Sequence, residues 1–169
     1  MAIDSQLDDV DWRILAELQQ NARLSFAELG RRVALSAPAV ADRVRNLEAR
    51  GVIQGYRAEL NLERLGRPIL AFVRVRCRSG DHRPFEKAIR DRPQILECHH
   101  VTGEDCFVVK VAACSMRDLE QIVGHLARLG STTTSLVFST LIDRRVIGAP
   151  ADTSSVQLTV SASSATRRQ

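Results

Sequence analysis

The stretch at residues 25–50, SFAELGRRVALSAPAVADRVRNLEAR, constrains this chain most, because its punctuation specifies two short helices joined by a tight turn. Ser25 followed three residues later by Glu28 is a capping box, in which each side chain satisfies a backbone N–H near the other. Leu29 and Val33 supply the buried stripe of a first helix that is expected to stop near Ala34. Ser36 caps the next helix, and Pro38 sits in its first turn, where a missing N–H costs little. Val40, Val44 and Leu47 recur at i, i+4, i+7 as its apolar seam, and Gly51 ends it. With that seam turned inward, Ala39, Asp42, Arg43, Asn46 and Arg50 are expected on the outer side, flanked by Arg45. Small residues at a helix start allow close approach to base edges, and arginines serve phosphates or guanine edges. The layout is that of a DNA-reading helix-turn-helix.

Charge placement supports this more than total charge does. The formal net charge of +4 is only mildly basic and fits mere solubility as well as nucleic-acid binding. Its distribution is more telling: residues 1–30 carry two arginines against six carboxylates, whereas residues 31–57 carry six arginines against Asp42 and Glu48 alone. The basic segment coincides with the expected reading helix and the extended stretch after it.

A chain of 169 residues, 44% hydrophobic, holds one medium domain or two small ones. No run of 18 apolar residues is present, and the acidic start MAIDSQLDDVDW lacks the apolar core of a secretory signal, so a cytoplasmic protein is expected. Cys77, Cys98, Cys106 and Cys114 lack paired CxxC spacing and read as free thiols. Strand alternation puts Cys98 and His100 on one face and His99 on the other, so these do not converge with Cys106, and no metal site is expected.

Ahead of the motif, Asp11 is placed to cap a first helix carrying Ile14, Leu15, Leu18 and Ala22, with Trp12 near its start as core or interface. After it, GVIQGYRAELN reads as a short extended wing with Arg57 as a phosphate contact. Residues 61–68 form a turn-rich linker with Gly66 and Pro68. The second half changes rhythm. A strand at 69–77 precedes a helix opened by Pro84 and stopped by Pro93. Strands at 95–101 and 106–112 form a hairpin, Ser115 caps a helix ended by Gly130, and a last strand runs from Thr132 to about Ile142. The order βαββαβ makes an α+β, ferredoxin-like sandwich with helices on one sheet face, so a second subunit is expected on the other. The division is therefore 1–60 for DNA binding, 61–68 linker, 69–148 for effector binding and oligomerisation, and 149–169 a disordered tail poor in large apolar residues, with an optional edge strand at 156–160.

A helix-turn-helix followed by such a domain resembles the Lrp/AsnC (leucine-responsive/asparagine regulator) family of transcription regulators. The resemblance spans about residues 7–146 and rests on LDDVDWRIL…ELQQNAR, RVRNLEARGVIQGYRAELN and ECHHVTGEDCFVVKV. It implies a homodimer formed through the sheet, assembling to tetramers or octamers, with an amino acid or related metabolite bound between C-terminal domains and no other cofactor. The family's turn of the form V-x-G-D/E falls here on Val101, Thr102, Gly103, Glu104 and Asp105. With His100 before it and the hydroxyls of Thr132, Thr134 and Ser135 on the last strand, these are the candidate effector residues. An acidic turn alone is ordinary; the resemblance gives it a ligand role. One departure is Cys106, where many members carry an acid.

The candidate DNA-binding residues are Ser25, Ser36, Ala37, Pro38, Ala39, Arg43, Arg45, Arg50 and Arg57. Base contacts are expected from Ser36, Ala37 and Ala39 with Arg43, and phosphate contacts from Arg45, Arg50 and Arg57. Two such helices in a dimer would enter successive major grooves of double-stranded DNA, about one helical turn apart. The alternative is an architectural, nucleoid-type DNA binder without an effector. Catalysis is not expected, because no nucleophilic triad, phosphate-binding glycine loop or paired-carboxylate arrangement is present.

Overall fold

The computed structural model describes residues 7–77 and 82–150, which fall into two compact units. One comprises residues up to 57 together with those from 144 on; the other is 58–143. The expected edge strand at 156–160 and most of the expected tail lie outside the described residues.

The first unit contains α1 (Asp9–Gln20), α2 (Phe26–Val33) and α3 (Ala37–Ala49). Asp8, rather than the expected Asp11, caps α1. Its carboxylate accepts the Asp11 N–H at 2.8 Å, and the Asp11 carboxylate accepts the Asp8 N–H at 3.4 Å, which completes a capping box one turn earlier than the sequence suggested. Ser25 caps α2 as expected, accepting from the Glu28 N–H at 3.2 Å. Only half of that box forms, because Glu28 turns its carboxylate to Arg31 and Arg32. Ala34 ends α2 with φ 58, in the left-handed region. The chain then folds back so closely that a Cβ on Gly30 would stand 2.5 Å from the Leu35 carbonyl oxygen. Glycine at position 30 is thus what lets the turn of the motif close. Ile14, Leu29, Val33, Val40, Val44 and Leu47 form the core. Residues 51–57 form no strand, contrary to the wing expectation. The amides of Val52 and Ile53 both bond to the Leu47 carbonyl and both side chains pack on the core, so this segment is consumed in closing the helical unit. Ile147 joins the same unit: Gln19 donates to its carbonyl at 3.0 Å and accepts its N–H at 2.9 Å.

The second unit contains β1 (Ile69–Cys77), α4 (Arg83–Arg90), β2 (Ile95–His100), β3 (Phe107–Ala113), α5 (Met116–Ala127) and β4 (Gly130–Leu136). The antiparallel sheet has the order β2-β3-β1-β4, the ferredoxin-like arrangement expected from βαββαβ. Ala71, Val73, Val75, Phe107, Val109 and Val111 form the inner face under Phe85 of α4 and Leu119, Ile122 and Leu126 of α5. Gly130 does not end α5 as expected; it opens β4 opposite Cys77. A Cβ there would lie 2.2 Å from the Arg76 carbonyl oxygen, so only glycine lets β4 start this close to β1. β4 also stops at Leu136, shorter than expected.

Candidate DNA interface and effector loop

On α3, Ser36, Pro38, Asp42, Arg45 and Asn46 are exposed, while Ala37 and Ala39 are half-buried. Pro38, Asp42, Arg45 and Asn46 stand at three- and four-residue spacing opposite the Val40–Val44–Leu47 seam, which makes one continuous outer face, with Ser36 at the helix cap. Ser36 Oγ accepts the Ala39 N–H at 3.4 Å and Ser25 Oγ the Glu28 N–H, so both hydroxyls keep their O–H free to donate. Asp42 on this face is neutralised by an ion pair with Arg45, both highly exposed. Arg50 is half-buried and donates to Asn46 Oδ1 at 3.3 Å; Arg57 is exposed.

Arg43 departs from expectation. Its guanidinium turns inward to α1 and holds Asp8 and Asp11 at 2.7 Å each. Position 43 precedes the seam residue Val44, and the capping box of α1 puts two carboxylates beside that edge of the helix. Hydrogen bonds to Asp11 and Asp8 push Arg43 upward. The Asp11 N–H and then Arg43 hold the Asp8 carboxyl below its ordinary value.

In the second unit the loop 101–105 closes the β2–β3 hairpin. Its ends are fixed by the Val101 N–H donating to the Cys106 carbonyl (2.9 Å) and the Cys106 N–H to Val75 (2.8 Å). Gly103 has φ 112 and open space around it, a backbone conformation that excludes other residues without strain. The loop's acids are met by two arginines that alternate along β1. Arg76 donates from Nε to the Glu104 carbonyl at 2.9 Å and pairs with the Glu104 carboxylate; Arg74 lies 3.7 Å from Asp105. Neither arginine was among the sequence candidates, although the period-2 pattern of VRVRC marks them as a charged face.

Strand register decides which hydroxyls belong here. Thr133 lies opposite Arg74 and Ser135 opposite Phe72, on the face that carries the arginines. Thr132 and Thr134 lie opposite Val75 and Val73, on the sheet face turned away from the arginines. His100 also belongs to the inner face, its ring stacked on Phe107 at 5.0 Å.

Two family patterns match the chain: the AsnC-type helix-turn-helix domain over residues 7–48 and the Lrp/AsnC ligand binding domain over residues 70–147. The chain belongs to the Lrp/AsnC family. Among relatives, the HTH-type transcriptional regulator LrpC of Bacillus subtilis is 34% identical over 134 residues, 79% of this chain and 93% of LrpC. The leucine-responsive regulatory protein of Escherichia coli is 38% identical over 122 residues, 70% of this chain and 74% of its own. The solved LrpC structure superposes with a TM-score of 0.79 at 33% identity, covering 82% of this chain and 99% of that one. A transcriptional regulator of Neisseria meningitidis solved as its L-Met complex superposes at 0.78 with 28% identity, covering 86% and 97%. This Lrp/AsnC member is accordingly a transcriptional regulator with a DNA-binding helix-turn-helix and a ligand-binding domain, and its relatives are regulators rather than enzymes. Among the described residues, no helix is long and apolar enough to cross a membrane.

Proposed function

We propose that this regulator responds to a free amino acid or a close metabolite, bound where the 101–105 loop meets Arg74 and Arg76, and that the ligand alters its binding to specific double-stranded DNA. The carrying observation is the pairing of Arg76 with Glu104 and Arg74 with Asp105 beside Gly103. A zwitterion exchanges partners with such a cluster: its carboxylate takes the guanidinium groups and its ammonium takes the loop acids. The exchange is cheap, because exposed ion pairs are worth only about 0–1 kcal/mol each. The Neisseria relative, bound to L-Met, supports an amino-acid ligand, and the name of the E. coli relative points the same way.

On the DNA side, α3 enters the major groove with Ser36, Ala37, Pro38 and Ala39 leading and Arg45 and Asn46 following along its outer face. Ser25, Arg50 and Arg57 address phosphates. Arg43 braces α3 from behind. A homodimer supplies two reading helices, and further assembly supplies the states between which the ligand chooses. The regulator works in the cytoplasm on the nucleoid.

The test is binding of the purified full-length protein to the DNA upstream of its own gene at fixed salt, with each of the twenty amino acids. Tight specific binding altered by one of them is the expected result. Specific binding unaffected by all of them overturns the amino-acid switch. Equal, weak binding to all DNA instead identifies an architectural protein.

A further inference from the structure

At the edge of the second unit, Cys77, His82 and Cys106 come together in a way no sequence spacing announced. One donor atom from each lies within 4.8 Å of the other two. We propose that these three side chains form a site for a thiophilic metal ion, zinc, with a fourth position left to water.

The backbone holds each ligand independently. Cys77 ends β1, paired with Gly130 of β4, and its N–H points at the Cys106 sulfur at 3.3 Å. Cys106 is fixed by both its amide and its carbonyl, through Val75 and Val101. His82 stands at the N-cap position of α4 yet makes no capping hydrogen bond. Its ring is wedged edge-on against Phe107, with centroids 5.2 Å apart and planes at 89°, and its Nδ1 is buried without a hydrogen-bond partner. A buried imidazole nitrogen without a partner is costly in an ordinary core, but it is what a metal ligand looks like before the ion is added.

Spacing and chemistry agree. Tetrahedral zinc with Zn–S near 2.3 Å and Zn–N near 2.0 Å sets its donors roughly 3.5–3.8 Å apart. Donors within 4.8 Å reach that spacing by side-chain rotations that move the donor atoms by about an ångström. Two sulfurs and one imidazole select zinc over the oxygen-seeking magnesium and calcium. An ion here would tie together the end of β1, the start of α4 and the residue that closes the 101–105 loop.

The experiment is titration of the reduced, metal-free full-length protein with Co2+, followed by Zn2+. One Co2+ per chain, with thiolate-to-cobalt charge-transfer bands that zinc abolishes, is expected. Cys77→Ser and Cys106→Ser should each remove the bands and weaken binding by more than about 100-fold, and His82→Ala by at least about tenfold, since even outer-shell changes cost 10–100-fold. Cys98→Ser and Cys114→Ser should bind as the parent does. In the parent protein, zinc should shield Cys77 and Cys106 but not the exposed Cys114 from alkylation, a readout independent of any variant's folding. Cobalt binding without thiolate bands, bands that survive Cys77→Ser, or equal alkylation of all four cysteines would overturn the site. So would a Cys77–Cys106 disulfide whose reduced form takes up no metal.

Discussion

Two clusters of acids and arginines, one in each unit, use the same groups to opposite ends. In the helical unit, Arg43 meets Asp8 and Asp11 inside a completed capping box, where Asp11 is only 7% exposed and its carboxylate ties α1 to α3. In the sheet unit, Arg74 and Arg76 meet Asp105 and Glu104 on an open face, next to a glycine loop with room around it. The first cluster is anchored on the nearly buried Asp11 carboxylate, which Arg43 and the Asp8 N–H both engage. The second is exposed, so its internal pairs are weak and exchangeable. Solvent access therefore separates a brace from a candidate receptor, and residue type alone does not.

The largest effect that would sharpen this contrast is at Gly130. Adding a methyl group there pushes a Cβ to 2.2 Å from the Arg76 backbone, so Gly130→Ala should cost the sheet unit about 2–3 kcal/mol and displace the strand that sets Thr133 beside Arg74. Urea denaturation would read it, and parent-like stability would mean that β4 does not sit as described. Next comes Gly103→Leu. Forcing a branched side chain to φ 112 costs of order 1–3 kcal/mol locally, so amino-acid response should disappear while ligand-free DNA binding persists. An unchanged response would move the receptor elsewhere.

A pair of double-mutant cycles tests the contrast itself. The Asp11–Arg43 coupling should be about 1 kcal/mol, because one partner is nearly buried; the Glu104–Arg76 coupling should be no more than about 0.5 kcal/mol, because that pair is exposed. Equal couplings would erase the distinction. The brace gives Arg43 a structural role beside the base contact expected of it: Arg43→Ala should lower the melting temperature of the helical unit, and a loss of DNA affinity larger than that loss of stability explains would mark a direct contact.

The smallest effect is with pH. The Asp11 N–H and Arg43 hold the Asp8 carboxyl below its ordinary 3.8, so its ionised form favours the folded state. That contribution is complete above 3.8 and fades as the pH falls through the lowered value. It is small, since the Asp8 side chain is 52% exposed. Asp8→Asn should flatten the acid limb of the stability profile slightly, and an identical limb would show that the carboxylate contributes nothing.

The contrast also explains what the sequence disclosed. Caps, seams and strand order were legible, because Ser25, Ser36, Pro38 and the alternation of β1 act on their own neighbours within a turn or a strand. The direction of Arg43 was not, since it depends on carboxylates 32 and 35 residues away. The loop at Gly103 could be picked out by its composition and family pattern, whereas its arginine partners, 28 or more residues distant, required the register of the sheet. Thr132 and Thr134 lie on the other face from the arginines for the same reason: alternation separates them from Thr133 and Ser135, but which set shares the arginine face is fixed only by the pairing of β4 with β1. Val52 and Ile53 suggested a wing by their β-branched character, but their proximity to the helical core decided their place.

The most direct measurement is calorimetric titration of the twenty amino acids into the full-length protein and into an Arg74→Ala/Arg76→Ala variant. One amino acid should bind the parent and bind the variant at least about tenfold more weakly, corresponding to about 1.4 kcal/mol for the lost charge-assisted contacts. Both proteins should bind DNA equally in its absence. An amino acid that binds both proteins with the same affinity would contradict the assignment of the open cluster as the receptor.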